Sequence, residues 1–302
     1  MTAANPPANA APPRAAGPGW RQRLVRAAPY LLLAPGILWL LVFFVIPTIQ
    51  MFLTSVSSGS IDSGFKLTFS TAAYQTAFTK FPRQITNSLL FGGIATLLTF
   101  LIGFPVAYTI AFRGGRYKSL LLFLVIAPFF TSFLIRTISW KILLNDSGPV
   151  LGPLKDLHLV SPDFGLLYTP LAVVGGITYN FLPFMVLPLY VALEKIDPKL
   201  IEAAKDLYAS NWGAFRRVTF PLSLPGVFAG TILTLIPALG DWVNADLLGN
   251  TQTKMIGNVI QDRFIGQGDY PTAAALSFIL MFAILVAVTL YGRFLGTEQL
   301  TG

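Results

Sequence analysis

The chain has 302 residues, 54% of them hydrophobic and 11% charged, and a positive mean hydropathy, which places it outside the range of soluble globular domains. It contains no cysteine and one histidine, His158, so disulfide frameworks, thiolate metal sites and imidazole clusters are excluded. The formal charge of +8 is distributed as membrane topology requires, not as a nucleic-acid-binding patch.

Residues 1–26 open with an Ala- and Pro-rich stretch without apolar periodicity and are expected to form a disordered cytoplasmic tail. The arginines ahead of Ala27 superficially resemble the start of a secretory signal. The apolar run that follows is too long for one and lacks a small-residue cleavage site, so it is expected to stay as an anchor helix. Charge-free windows then run from Ala27 to Ile61, Gln84 to Phe112, Ser119 to Ile135 with an apolar continuation past Arg136, Phe164 to Leu193, Val218 to Gly240, and Tyr270 to Gly292. About 20 helical residues cross a hydrocarbon core roughly 30 Å thick, so each window is long enough to span. Lipid cannot satisfy open backbone, and no alternating barrel pattern is present. The expected architecture is all-α and polytopic, with six transmembrane helices in a domain over residues 27–296 and a short cytoplasmic tail at 297–302.

Counting cations orients the spans. With the N-terminus inside, 13 Lys and Arg fall on inner segments and six on outer loops, a bias that puts both termini in the cytoplasm. The first outer loop, roughly Ser55 to Arg83, carries Phe65, Leu67, Phe69 and Tyr74 and reads as a partly ordered segment on the membrane surface. Between the fifth and sixth spans, Met255, Ile256, Val259, Ile260 and Phe264 recur at helical spacing opposite Asn258, Gln261, Asp262 and Arg263. That short amphipathic helix either packs on the spans or plugs an outer gate.

The inner loop over residues 194–222 is polar and helical in a chain otherwise built of spans. Asp197-Pro198 starts its helix, with Asp accepting free amide hydrogens and Pro at the first helical position. Leu200, Ala203, Ala204 and Leu207 share one face, bordered by Glu202, Lys205 and Asp206. A shallow apolar stripe with a charged rim suits a groove on a soluble partner, although an ordinary connecting helix reads the same way.

Glu202-Ala203-Ala204, with Ala209, Phe215, Pro221 and Pro225-Gly226 at their present spacing, resembles the EAA loop of ABC importer permeases. Pro128-Phe129 with Leu134-Ile135-Arg136-Thr137, and Ile236 to Asp241 with Asp246-Leu247-Leu248-Gly249, are similar to the spermidine/putrescine branch, specifically the first of its two paralogous membrane subunits. The resemblance implies a type I importer permease fold in the bacterial inner membrane. It further implies a non-catalytic subunit partnered by a paralogous permease, two ABC ATPase subunits and an extracytoplasmic substrate-binding protein. Glu202, Ala203, Ala204, Asp206, Leu207, Tyr208 and Ala209 would then couple to the ATPase. No cofactor is implied on this chain, since ATP and Mg belong to the partner ATPases and no GxxxxGK[ST] loop is present. One departure stands out: the family pattern usually has Gly where Tyr208 stands. A left-handed backbone there would cost a tyrosine roughly 1 kcal/mol or more. Either the local turn differs, or the ring fills a groove in a co-adapted ATPase.

Arg136 and Asp241 are the charges deepest within apolar windows. On straight helices they lie about 26 Å from Ser119 and about 28 Å from Leu222. A charge inside the bilayer costs at least about 2.5 kcal/mol, so such residues usually face a cavity or a partner. Arg136 and Asp241 pair as an outer gate, or Asp241 receives a cationic substrate beside Trp242 and Tyr179, or both charges snorkel to the interface or pair with other subunits. An ion-gradient carrier needs a buried carboxylate relay, and apart from Asp241 the spans offer almost none. No nucleophile–base pair supports a membrane enzyme. Outer loops hold seven Asp against six basic groups, mildly compatible with a polyamine, another small organic cation or an amino compound.

Overall fold

The computed structural model describes residues 32–295. The expected tails at 1–26 and 297–302 lie outside them. Two compact bodies divide the chain between Met51 and Phe52. The first consists, where described, of apolar helix belonging to α1 (Leu32–Ser55), with a π-helical turn at Leu41–Val45. Its side chains are almost all exposed, as befits a helix solvated by lipid.

The second body begins with an addition to the all-helical expectation. The window read as span to Ile61 gives up its helix at Ser55, and Ser57–Ser60 (β1) pairs antiparallel with Gly64–Leu67 (β2), Ser57 opposite Leu67. Glycines make the turn possible: Gly59 and Gly64 both have positive φ. An isolated hairpin is marginal in water, and this one is tied down by Phe65 against Tyr270, with ring centroids 5.3 Å apart. Helix α2 (Ala72–Lys80) follows and completes the loop that carried no resolvable role in the sequence.

The core is built by three long helices: α3 (Pro82–Arg113), α7 (Pro170–Glu194) and α9 (Asn211–Leu239). Small residues let them approach. Along α3 the buried stripe runs Gly92, Ala95, Thr96, Thr99, Gly103, Ala107 and Ala111, at steps that keep one face inward. A Cβ on Gly103 would lie 3.2 Å from Met185 on α7, and one on Gly226 of α9 would lie 2.7 Å from the carbonyl oxygen of Pro188. Thr96 and Thr99 donate to the carbonyls of Gly92 and Ala95 at 2.7 and 2.6 Å, so their hydroxyls enter the core satisfied. Helix α12 (Tyr270–Leu295) forms the last span.

The third window is not a straight helix. Helix α4 (Lys118–Ile126) tightens into a 3-10 turn at Ala127–Phe130, breaks, and restarts as α5 (Phe133–Leu143) at an angle of 93°. Pro128 lies in the tight turn, and Thr131 and Ser132 are extended at ψ 150° and 137°. The break is locally satisfied, because Thr131 donates both N–H and Oγ1 to the Pro128 carbonyl at 3.1 and 2.7 Å. Straight-helix depth therefore fails for Arg136, which stands one turn into α5; only about 20 Å of helical rise separates Lys118 from Phe130. Asp241 likewise lies past the end of α9 at Leu239, not on it.

Short helices complete the fold: α6 (Leu151–Asp156), α8 (Pro198–Asp206), α10 (Val243–Leu248) and α11 (Ile256–Gln261), the last continued by a π turn to Gly266. Ile256 and Val259 are buried with Ala77 and Leu276, and Met255 is buried in the cluster that holds Val173 and Leu248, so the first half of the amphipathic segment's apolar face is spent on packing while Phe264 stays exposed.

Candidate functional site

Helix α8 forms as its sequence dictates. The Asp197 carboxylate accepts from the Lys199 N–H at 3.0 Å, and Pro198 occupies the first turn. Ile201 and Ala204 turn inward, while Glu202, Ala203, Lys205, Asp206 and Leu207 are exposed. The C-terminus closes in a Schellman arrangement: the Tyr208 N–H donates to the Lys205 carbonyl at 2.9 Å and the Ala209 N–H to the Ala204 carbonyl at 3.1 Å. That closure requires a left-handed residue, and Tyr208 supplies it at φ 62°. The glycine-type turn is therefore retained, and of the two explanations for Tyr208 a different turn is removed. Its ring is 98% exposed and Leu207 beside it 82% exposed.

Behind this elbow the chain is firmly held. Ser210 caps the start of α9 by accepting from the Gly213 N–H at 3.1 Å. A π-helical turn at Phe215–Thr219 follows, with Phe215 stacked on Trp212 at 5.3 Å and packed edge-on against Phe104 of α3 at 5.7 Å. Phe215 also meets Tyr108 and Phe220. At the same end Lys118 pairs with Glu194 at 2.9 Å, joining α4 to α7. Displacing the elbow therefore loads α3, α7 and α9 together.

A second site is a buried polar knot. Asn180 of α7 donates from Nδ2 to Thr137 Oγ1 of α5 at 3.2 Å and to Asn244 Oδ1 of α10 at 3.1 Å. Asn244 in turn gives its backbone N–H to Asp241 Oδ1 at 3.0 Å and its Nδ2 to Asp241 Oδ2. All four residues are buried. Asp241 thus holds the start of α10, both of its oxygens engaged by Asn244. Trp242 is partly exposed, and its carbonyl accepts from Asn258 Nδ2 at 2.9 Å.

Arg136 does not meet Asp241. The three ion pairs among the described residues are Lys118–Glu194, Lys155–Asp146 and Arg263–Asp269. The Arg136 guanidinium lies instead 5.0 Å from the Phe129 ring and 5.7 Å from the Phe133 ring, with Nε and Nη1 buried and without a hydrogen-bond partner among the described residues. Tyr179 packs edge-on against Trp140 at 5.4 Å and lines an apolar cavity of about 570 Å³ between α3, α4 and α7. Pro105, Pro128 and Pro183 also line it, so the helix-bending residues gather around this space.

Of the pathway candidates, then, the fold brings Asp241 and Trp242 to the knot, Tyr179 to the cavity and Arg136 to an aromatic cradle beside it. Thr137, Asn180 and Asn244 were missed by reading charges alone. Their signal was present: two carboxamides and a hydroxyl within or beside apolar windows, where polar groups must find partners across helices.

Residues 99–295 match the family described as the binding-protein-dependent transport system inner membrane component. The spermidine/putrescine transport system permease protein PotB of Haemophilus influenzae is 37% identical over 256 residues, covering 84% of this chain and 90% of that protein. PotB of Escherichia coli K12 is 36% identical over 256 residues, covering 84% and 93%. A chain of the bacterial alginate ABC transporter, in complex with an alginate pentasaccharide-bound periplasmic protein, superposes with a TM-score of 0.75 at 21% identity, covering 93% of this chain and 98% of that one. At that identity the likeness concerns the fold. The chain belongs to the binding-protein-dependent inner membrane components, the membrane-spanning permease subunits of ABC importers, which transport rather than catalyse.

Proposed function

We propose that this chain forms one half of the pathway of an ATP-driven polyamine importer, spermidine or putrescine being handed to it by an extracytoplasmic binding protein. A paralogous permease supplies the other half, and two cytoplasmic ABC ATPases bind ATP and Mg. Residues 27–296 are the permease domain, both termini are cytoplasmic, and residues 194–222 are the coupling loop. The observation that carries the reading is Tyr208: the left-handed turn at φ 62° closes α8 and would suit glycine, yet it holds a tyrosine that is 98% exposed, so its ring gains nothing from its own chain. A return from a docked ATPase accounts for it, with Glu202, Ala203, Asp206 and Leu207 as the surrounding rim. The names of the relatives support the substrate class, as does the mildly acidic balance of the outer loops.

The coupling then follows from packing. Movement of the elbow with the ATPase pair is transmitted through Phe215 to Phe104, and through the tight α7–α9 contact at Gly226, to the helices around the Tyr179 cavity. The test is reconstitution of the four components in liposomes. Binding-protein-stimulated ATP hydrolysis with uptake of labelled spermidine or putrescine is expected. Gradient-driven uptake by this chain alone, without an ATPase, refutes the proposal.

A further inference from the structure

The hairpin β1–β2 has one polar face and one apolar face. Its register sets Phe65 and Leu67 on one side, opposite Gly59 and Ser57, and sets Lys66 opposite Ser58 on the other. The Lys66 side is polar: Thr68 Oγ1 donates to Ser58 Oγ at 3.0 Å, and the hydroxyls of Ser60 and Ser63 bond at 3.0 Å. On the apolar side Leu67 is 50% exposed. Phe69, just past the strand, is 71% exposed on a left-handed backbone at φ 49°, a conformation that is costly for phenylalanine. Two contacts seat the hairpin at the head of α12. Phe65 packs on Tyr270, whose ring also meets the exposed Phe264 at 5.0 Å, and Gly268 leaves room for the Ile61 side chain where a Cβ would collide with it.

The length of α12 fixes the level of this seat. Tyr270 opens the helix and Arg293 lies in its last turn, about 35 Å of helical rise away. With Arg293 at the inner interface, Tyr270 clears a hydrocarbon core about 30 Å thick and stops within the headgroup zone, which brings the whole bilayer to about 40 to 45 Å. Aromatic side chains are favoured at that level, where apolar chains give way to water. We propose that the outer leaflet covers the apolar face of the hairpin: Phe65, Leu67, Phe69 and Phe264 seat at the boundary of headgroups and acyl chains, and Lys66 and the serines turn to water. The hairpin thereby anchors the head of the last span at the membrane surface. Segregation of apolar and polar residues onto opposite faces fits a planar boundary between lipid and water. A protein-docking patch instead carries a polar rim around its apolar centre, and Lys66 is the one charge on the two strands. The inference rests on the topology proposed above, which puts the hairpin outside.

The absence of native cysteine makes a nitroxide label selective. In the reconstituted complex in liposomes, Leu67→Cys and Phe69→Cys carry the label on the apolar side. Ser58→Cys is the reference for the polar face, and Leu285→Cys, exposed on α12, is the reference for hydrocarbon. Relaxation of each label is measured with oxygen, which concentrates in lipid, and with a nickel chelate, which stays in water. Positions 67 and 69 are expected to shift away from the reading at 58 toward that at 285, favouring oxygen over nickel. Nickel access at both equal to that at 58 overturns the proposal. Poor access of both reagents overturns it too, because it marks burial against the second membrane subunit. Adding the binding protein is expected to leave both readings unchanged; protection from nickel that appears only with that protein assigns it the face and overturns the lipid reading. An impermeant thiol reagent added outside is expected to modify Ser58→Cys. Modification only from inside sinks the proposed topology, whereas water-like readings at 67 and 69 with outside modification intact sink this inference alone.

Discussion

Asn180 and Asn244 stand 64 residues apart in sequence and share a hydrogen bond of 3.1 Å between Nδ2 and Oδ1. Through it α7 holds α10, and through Thr137 it also holds α5, the helix that restarts after the 93° break. The knot therefore sets where the broken span points.

Removing Asn244 strips the buried Asp241 carboxylate of its hydrogen-bond donors from that residue's side chain. Asn244→Leu keeps the backbone N–H at position 244 on Oδ1 and is expected to cost about 1 to 3 kcal/mol, the range for leaving a buried polar group one donor short. Asp241→Asn in that background should recover a substantial part, because a neutral amide is cheaper to bury unpaired. Thermal unfolding in detergent, followed by tryptophan fluorescence, reads the cycle. Simple additivity of the two substitutions would show that Asn244 does not serve Asp241.

Tyr208 carries opposite consequences for stability and work. Tyr208→Gly relieves the left-handed strain and is expected to stabilise the chain by roughly 1 kcal/mol while lowering ATP-driven uptake. Tyr208→Ala keeps the strain and loses the ring, so uptake should fall without any gain in midpoint. Full uptake in both variants, with ATPase association intact, would remove the ring from the coupling surface.

Close approach of α7 and α9 depends on Gly226. A Cβ there would lie 2.5 Å from the Ala192 Cβ and 2.7 Å from the Pro188 oxygen, a backbone atom that cannot swing aside. Gly226→Ala is expected to cost about 1 to 3 kcal/mol by overpacking. Gly175, on the same helix as Pro188, has nothing within 4 Å of its would-be Cβ. Gly175→Ala should be neutral or stabilise by about 0.5 to 1 kcal/mol. Midpoints measured side by side distinguish a steric demand from a general intolerance of substitution.

The Lys118–Glu194 pair is short, at 2.9 Å, yet its side chains remain 31% and 40% exposed. Glu194→Gln is expected to cost less than about 1 kcal/mol. The loss should shrink as ionic strength rises, since exposed charges are screened over about 10 Å or less. A salt-independent loss larger than this would mean that the pair bears the α4–α7 junction in a way its exposure does not suggest.

Much of the framework was legible beforehand because lipid imposes a one-dimensional rule: a span needs about 20 apolar residues whatever surrounds it. The α8 helix was equally legible, since Asp197, Pro198 and the apolar spacing act locally. The break near Pro128 was not, because a proline in an apolar window marks a bend without stating its angle. The hairpin at Ser57–Leu67 escaped notice for a related reason, its serines and glycines having little strand propensity and its anchor, Tyr270, lying some 200 residues away.

By itself the sequence determined the class of molecule, the placing of its apolar spans and the elbow around Glu202, all consequences of composition and spacing along one chain. Only the tertiary structure decided that Asn180 and Thr137 meet the Asn244 that ties Asp241, and that Nε and Nη1 of Arg136 are buried without an acceptor among the described residues. Those outcomes depend on which residues meet across helices, and a hydrogen bond or a steric contact exists only once distant segments are brought within a few ångströms.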